Sequence, residues 1–179
     1  MPNEPIKDKK TVKKILEVLS TRRNGFRDAL LFEFLLSTGL RISDGLSVRK
    51  KDINIKDGLL RICTSKNGED RIIALNTKLL HKLDVYSSNM NKDDLLFPVQ
   101  RQWVHKIVKW ATDQVGLDSS RYSCHTTRKT AAYHFYHDSG RDLARTMHFL
   151  GHRSTKETMR YLGLKDEEVN ERLVLMNWS

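Results

Sequence analysis

The sequence predicts a mostly α domain of the α+β class, with one small three-stranded antiparallel sheet. Three observations carry that expectation. Apolar residues recur at helical spacing from Asn24 to Thr38 and stop at Gly39. Three short segments of strand-like composition then gather around Asn67-Gly68, a pair suited to a two-residue hairpin because both turn positions need positive φ. Beyond Asn76 the pattern returns to helices, several with recognisable capping residues.

Taken in order, residues 1–10 are polar and read as a flexible lead-in, and residues 11–20 as a short helix. In the helix over 24–38, Phe26, Leu30, Phe34 and Ser37 fall at helical spacing, and Ala29, Leu31, Leu35 and Leu36 widen the apolar face. Gly39 takes the usual C-terminal glycine position. A short helix is expected over 43–48, and strands over 52–55, 59–64 and 71–75. Helices follow over 77–87 and 101–115, and another over 126–138 is closed by Gly140. Asp142 caps a helix over 143–150 that closes at Gly151. Ser154, with Glu157 three residues on, forms a capping box that opens a helix toward Tyr161. A last helix is expected over 165–175.

The chain has 179 residues, enough to bury a core as one domain. It carries 32 basic against 22 acidic residues, a net charge of +10. That excess favours a polyanionic partner, nucleic acid before anionic membrane. No apolar run approaches the roughly 20 residues that span a bilayer, and the polar N-terminus is not a secretory signal. Cys63 and Cys124 lie far apart, so reduced thiols and a cytoplasmic location are expected.

Four segments concentrate groups suited to phosphate chemistry. They are Thr38-Gly39-Leu40-Arg41-Ile42-Ser43-Asp44, Ser65-Lys66-Asn67-Gly68, His125-Thr126-Thr127-Arg128 and Leu150-Gly151-His152, the last followed by Tyr161. Apolar Leu40 and Ile42 should be drawn into the core and hold the Arg41 backbone at a helix junction. Lys66 stands directly before the expected hairpin turn. His125 and Arg128 are three apart on a first helical turn and share a face, where helix N–H groups also favour phosphate. Each segment alone has a plainer explanation. Arg41 would pair with Asp44 at the surface, Lys66 would be solvated and His125 would be a cap. His152 would complement a helix dipole, and Tyr161 would be a half-buried packing residue.

Jointly, the order Arg, Lys, His-x-x-Arg, Leu-Gly-His and Tyr, with Tyr161 nine residues beyond His152, resembles the catalytic domain of the tyrosine recombinase, or phage integrase, family. The resemblance runs from about residue 11 to 175 and includes Thr38-Gly39-Leu40-Arg41-Ile42-Ser43 and the stretch over 71–75. It implies the tyrosine recombinase catalytic-domain fold and site-specific cutting and rejoining of double-stranded DNA through a 3′-phosphotyrosine. It implies no cofactor, metal, membrane or small-molecule substrate. Arg41 and Arg128 would bind the non-bridging oxygens of the scissile phosphate, and Lys66 would protonate the leaving 5′ oxygen. His125 would accept a proton or support the phosphate, His152 would hydrogen-bond the phosphate in the transition state, and Tyr161 would attack phosphorus. The residue types suit these tasks. Phosphoryl transfer is catalysed mainly by positioning and charge stabilisation, and guanidinium groups match phosphate oxygens bidentately. A phenol ionises near about pH 10, so the nucleophile needs neighbouring cations or a base.

The family usually carries a separate N-terminal core-binding domain. Here the pattern begins almost at Met1, so a naturally short protein is expected, with a catalytic domain over 11–179 and no such domain before it. Lys129 stands where many relatives have histidine. The apolar end, Leu173, Val174, Leu175, Met176 and Trp178, is expected to promote self-association on DNA as a dimer or tetramer. Three rival readings are weaker. A type IB topoisomerase usually has lysine in place of His125. A non-catalytic DNA-binding regulator would not need all six positions filled. A zinc protein would use His134 with His137, His148 with His152, and Cys124. However, no His-Glu-x-x-His or Cys-x-x-Cys occurs, and Gly151 interrupts the second pair.

Overall fold

The computed structural model describes residues 4–64, 68 and 70–164. Its elements run in the order α1 (Lys9–Ser20), α2 (Gly25–Thr38), α3 (Ile42–Ser47), β1 (Ile53–Asn54), β2 (Leu59–Cys63), β3 (Asp70–Ala74), α4 (Thr77–Ser87), α5 (Arg101–Gln114), α6 (Thr126–Asp138), α7 (Leu143–Leu150) and α8 (Thr155–Leu162). This is the expected mostly helical α+β class with one three-stranded antiparallel sheet. The helix expected over 165–175, the apolar end and Lys66 lie outside the described residues. Among the described residues, no helix is long and apolar enough to cross a membrane. The chain divides into two compact units, with the boundary in sequence between Ala131 and Ala132, within α6.

In the first unit α2 is the central helix, with Leu30, Leu31, Phe34 and Leu35 at most 2% exposed. Helices α1 and α4 pack against it and add Ile15, Leu19, Leu79 and Leu83 to the same core. Each such buried side chain contributes roughly 1.5–3 kcal/mol relative to exposure. Helix α1 begins two residues before the expected Thr11 because Asp8 caps it. The Asp8 carboxylate accepts from the Lys10 and Thr11 amides at 3.2 and 2.9 Å. Earlier still, Ile6 is buried and its N–H donates to Thr130 Oγ1 at 2.9 Å. Phe26 departs from its expected place on the apolar face. It is 52% exposed and meets Tyr86 edge-on, while Asp28 turns inward and is fully buried among cationic and indole partners.

The sheet has the order β1-β2-β3, with both pairings antiparallel. Strand β1 is shorter than expected because residues 50–52 form a 3-10 turn, in which the Asp52 carboxylate accepts from the Arg49 amide at 2.8 Å. In β2 the alternation buries Leu60 and Ile62. The β2–β3 register pairs Leu60 with Ile73 and Cys63 with Asp70. The expected two-residue turn at Asn67-Gly68 would pair Leu60 with Leu75 instead, so the observed register is not the one that turn sets. The Gly68 amide donates to the Thr64 carbonyl at 2.9 Å, and Gly68 takes the left-handed position that glycine occupies at least cost.

In the second unit Phe135 stacks on Phe149, 4.3 Å between ring centroids, and so ties α6 to α7. Asp142 caps α7 through the Arg145 amide at 2.8 Å. The helix closes at left-handed Gly151, where the Gly151 amide bonds the His148 carbonyl and the His152 amide the Met147 carbonyl, both at 3.0 Å. Ser154 Oγ caps α8 by accepting from the Glu157 amide at 3.2 Å, and α7 and α8 pack together.

Candidate active site

Gly39 ends α2 with φ 61°, and its N–H returns to the Leu35 carbonyl at 3.0 Å. The chain then turns into α3, for which Arg41 is the N-cap residue. Leu40 and Ile42 are 1% and 5% exposed, so the backbone is pinned on both sides of Arg41 as expected. The half-buried Arg41 guanidinium makes no hydrogen bond or ion pair with a described residue, so a pair with Asp44 is not formed. Arg128 approaches from α6. It is 4% exposed, and its Nη1 donates to the Gly39 carbonyl, two residues before Arg41. A bond across 89 positions of sequence therefore anchors one arginine at the junction that presents the other.

His125 immediately precedes α6 and lies against Arg101, a residue that sequence reasoning missed. Arg101 opens α5, and its Nη2 is 3.0 Å from His125 Nε2 while its Nε donates to Cys124 Sγ at 3.4 Å. A guanidinium has only donors, so Nε2 is the acceptor and the ring proton sits on Nδ1. The residue as a whole is solvent-exposed, yet its ring is partly enclosed. That desolvation lowers the imidazole pKa from its ordinary value, and the charges of Arg101, Arg128 and Lys129 lower it further. The only trace of Arg101 in the sequence is an arginine at a helix start, and nothing there links position 101 to 125.

In the second unit His152 is 9% exposed, and its Nδ1 is 3.0 Å from Thr158 Oγ1. The Thr158 hydroxyl donates to the Ser154 carbonyl at 3.3 Å, so it accepts from His152 Nδ1–H. Glu157 Oε1 lies 4.0 Å from His152 Nε2. Tyr161, on α8, meets the His152 ring edge-on, 5.3 Å between centroids at 77°. It is half-buried and its hydroxyl is enclosed. Tyrosines near the His125–Arg128 segment in sequence occupy different settings. Tyr122 is buried, and desolvation together with Glu4 raises its phenol pKa. Tyr133 packs against His134 and His137, and Tyr136 against His137. The ligand-like spacing of His134 and His137 therefore serves ring packing.

The phage integrase family matches residues 7–168 of this chain. The chain belongs to that family, and its fold is that of tyrosine recombinase catalytic domains. It is 31% identical over 171 residues to the protein named probable integrase/recombinase YoeC of Bacillus subtilis (strain 168), covering 92% of this chain and 91% of that protein. Tyrosine recombinase XerD of Staphylococcus haemolyticus (strain JCSC1435) is 26% identical over 180 residues, covering 89% of this chain and 59% of XerD. Among solved structures, the XerH site-specific recombinase bound to its difH substrate superposes with a TM-score of 0.77 at 20% identity, covering 97% of this chain and 55% of XerH. The chain thus spans nearly all of YoeC and little more than half of XerD and XerH.

Proposed function

We propose that this chain cuts and rejoins double-stranded DNA at specific sites through a 3′-phosphotyrosine on Tyr161, and that it associates with further copies of itself on the DNA. The observation that carries the reading is the hydrogen bond from Arg128 to the Gly39 carbonyl, which holds one guanidinium at the turn presenting Arg41. A scissile phosphate gathers charge on its non-bridging oxygens as the nucleophile arrives. Two planar guanidiniums match those oxygens, and a well-placed donor of this kind contributes on the order of 3–4 kcal/mol to the barrier. The +10 net charge supports a DNA partner, as does the capture of the structurally similar XerH on its DNA substrate.

In this reading the Tyr161 oxygen bonds to phosphorus as the bond to the 5′ oxygen breaks, and Lys66 supplies the proton to that leaving oxygen. His125 supports the phosphate or takes a proton. With the Nδ1 of His152 committed to Thr158, its Nε2–H in the protonated ring would hydrogen-bond a phosphate oxygen. The phosphotyrosine conserves the energy of the broken phosphodiester, so a 5′-hydroxyl from another strand reverses the step and completes the exchange. The test uses a nicked duplex built from DNA that the protein protects from nuclease, in which the 5′ fragment diffuses away after cleavage. The expected result, in a chelator and without ATP, is protein joined to the 3′ phosphate and a released fragment with a 5′-hydroxyl. Tight binding with no adduct would leave a DNA-binding regulator, and supercoil relaxation without strand exchange would favour a topoisomerase.

A further inference from the structure

Arg101 is built into the site more firmly than an exposed lysine or arginine at a helix start needs to be. Its Nε is seated on Cys124 Sγ at 3.4 Å, and Cys124 is 5% exposed and adjoins His125 in sequence. Its Nη2 then reaches His125 Nε2 at 3.0 Å. The histidine backbone is fixed as well. Its amide donates to Ser123 Oγ at 3.2 Å, and its carbonyl accepts from the Lys129 amide at 3.1 Å. Arginine, ring and backbone therefore share one rigid corner between α5 and α6. We propose that Arg101 is a positioning residue that decides which nitrogen of His125 carries the proton, so that the imidazole enters phosphate chemistry neutral and as an Nδ1–H donor.

The chemistry follows from donor counts. Arginine offers N–H groups and no acceptor, so its contact with Nε2 excludes a proton there. The hydrogen bond made by one ring nitrogen sets the tautomer of the other. The cations facing the ring are Arg101 from α5 and Arg128 and Lys129 from α6, and all three oppose a second proton. While Arg101 holds Nε2, that atom cannot take the tyrosine proton. Of the two roles open to His125, this favours support of the phosphate through Nδ1–H. The inference rests on the reading that His125 works on a phosphate, but its test does not need cleavage to occur.

The experiment reads the His125 imidazole in nitrogen-15 correlation spectra of the free protein, assigned by the signal lost in His125→Gln. The wild type should show the Nδ1-protonated tautomer at neutral pH. Arg101→Met removes charge and donors at similar length. It should shift the population toward the Nε2-protonated form and move the titration to higher pH, because a cation that opposed protonation is gone. In single-turnover cleavage the rate should fall about three- to tenfold at and above neutral pH, where the Nε2-protonated tautomer lacks the Nδ1–H donor, with a smaller change at acid pH, where the doubly protonated ring keeps it. Arg101→Lys restores the charge and a donor and should bring the tautomer and the titration back, and thermal denaturation of both variants checks folding. A wild-type His125 protonated on Nε2 would overturn the proposal. So would a tautomer and titration unmoved in Arg101→Met, including the case where cleavage falls equally at every pH and Arg101 is a phosphate contact only. Absence of a Tyr161 adduct would defeat the proposed function and leave the spectra free to decide on Arg101.

Discussion

Asp28 shows how much of this protein is decided by single residues. It is fully buried, and its oxygens meet Arg22 Nε at 3.3 Å, Arg27 Nη2 at 2.8 Å and the Trp103 indole N–H at 3.0 Å. Both arginines also lie over the Trp103 ring, at 5.5 and 5.4 Å from its centroid. A carboxylate withdrawn from water is tolerated only when it is paired and hydrogen-bonded. Asp28→Asn keeps the shape and removes the charge, leaving two guanidiniums without their counter-ion. The expected cost is about 3 kcal/mol, read as a lower urea midpoint with unchanged slope. A loss below about 0.5 kcal/mol would place the cluster among ordinary surface pairs and contradict this account. The sequence pattern put Phe26 on the buried face and passed over Asp28, because Trp103 lies 75 residues away. The contact between Arg101 and His125 was hidden for the same reason. The rigidity of Arg41 was readable, since it depends on its immediate neighbours Leu40 and Ile42.

Among the elements, the contact between α1 and α2 turns on Gly25. A Cβ there would lie 2.1 Å from the Ser20 carbonyl oxygen and 2.9 Å from that of Leu19. The need is for close approach of two backbones, and neither can yield as a flexible side chain would. Gly25→Ala must push the end of α1 away from α2, at a cost of roughly 1–3 kcal/mol, measured by thermal denaturation. An unchanged melting temperature would show that the two helices are not held this close. Helices α7 and α8 were legible because their signals are local: Asp142 and Ser154 as caps, Gly151 as a closing residue. The hairpin turn was not. Its register extends the pairing in which the Leu75 amide meets the Gly58 carbonyl, so the sheet sets it and the Asn67-Gly68 pair does not. The same glycine still takes a left-handed position, with its amide on the Thr64 carbonyl.

At the scale of the whole molecule, the family positions fall on two compact units. Arg41, His125 and Arg128 belong to the first, and His152 and Tyr161 to the second. Their order was legible because each sits where the sequence marks a boundary: a helix junction, a first turn, a closing glycine, a short capped helix. What spacing cannot express is the atom that joins Arg128 to the Arg41 turn, the Gly39 carbonyl. The central claim is that Tyr161 is the nucleophile. The most direct measurement traps protein on a nicked suicide duplex, digests the adduct and locates the DNA-linked residue by mass spectrometry. The account predicts DNA on the peptide containing Tyr161. It also predicts that Tyr161→Phe, which removes one oxygen and almost no volume, folds and binds DNA normally but forms no adduct. An adduct on Tyr122, Tyr133 or Tyr136, or one that persists in Tyr161→Phe, would contradict it.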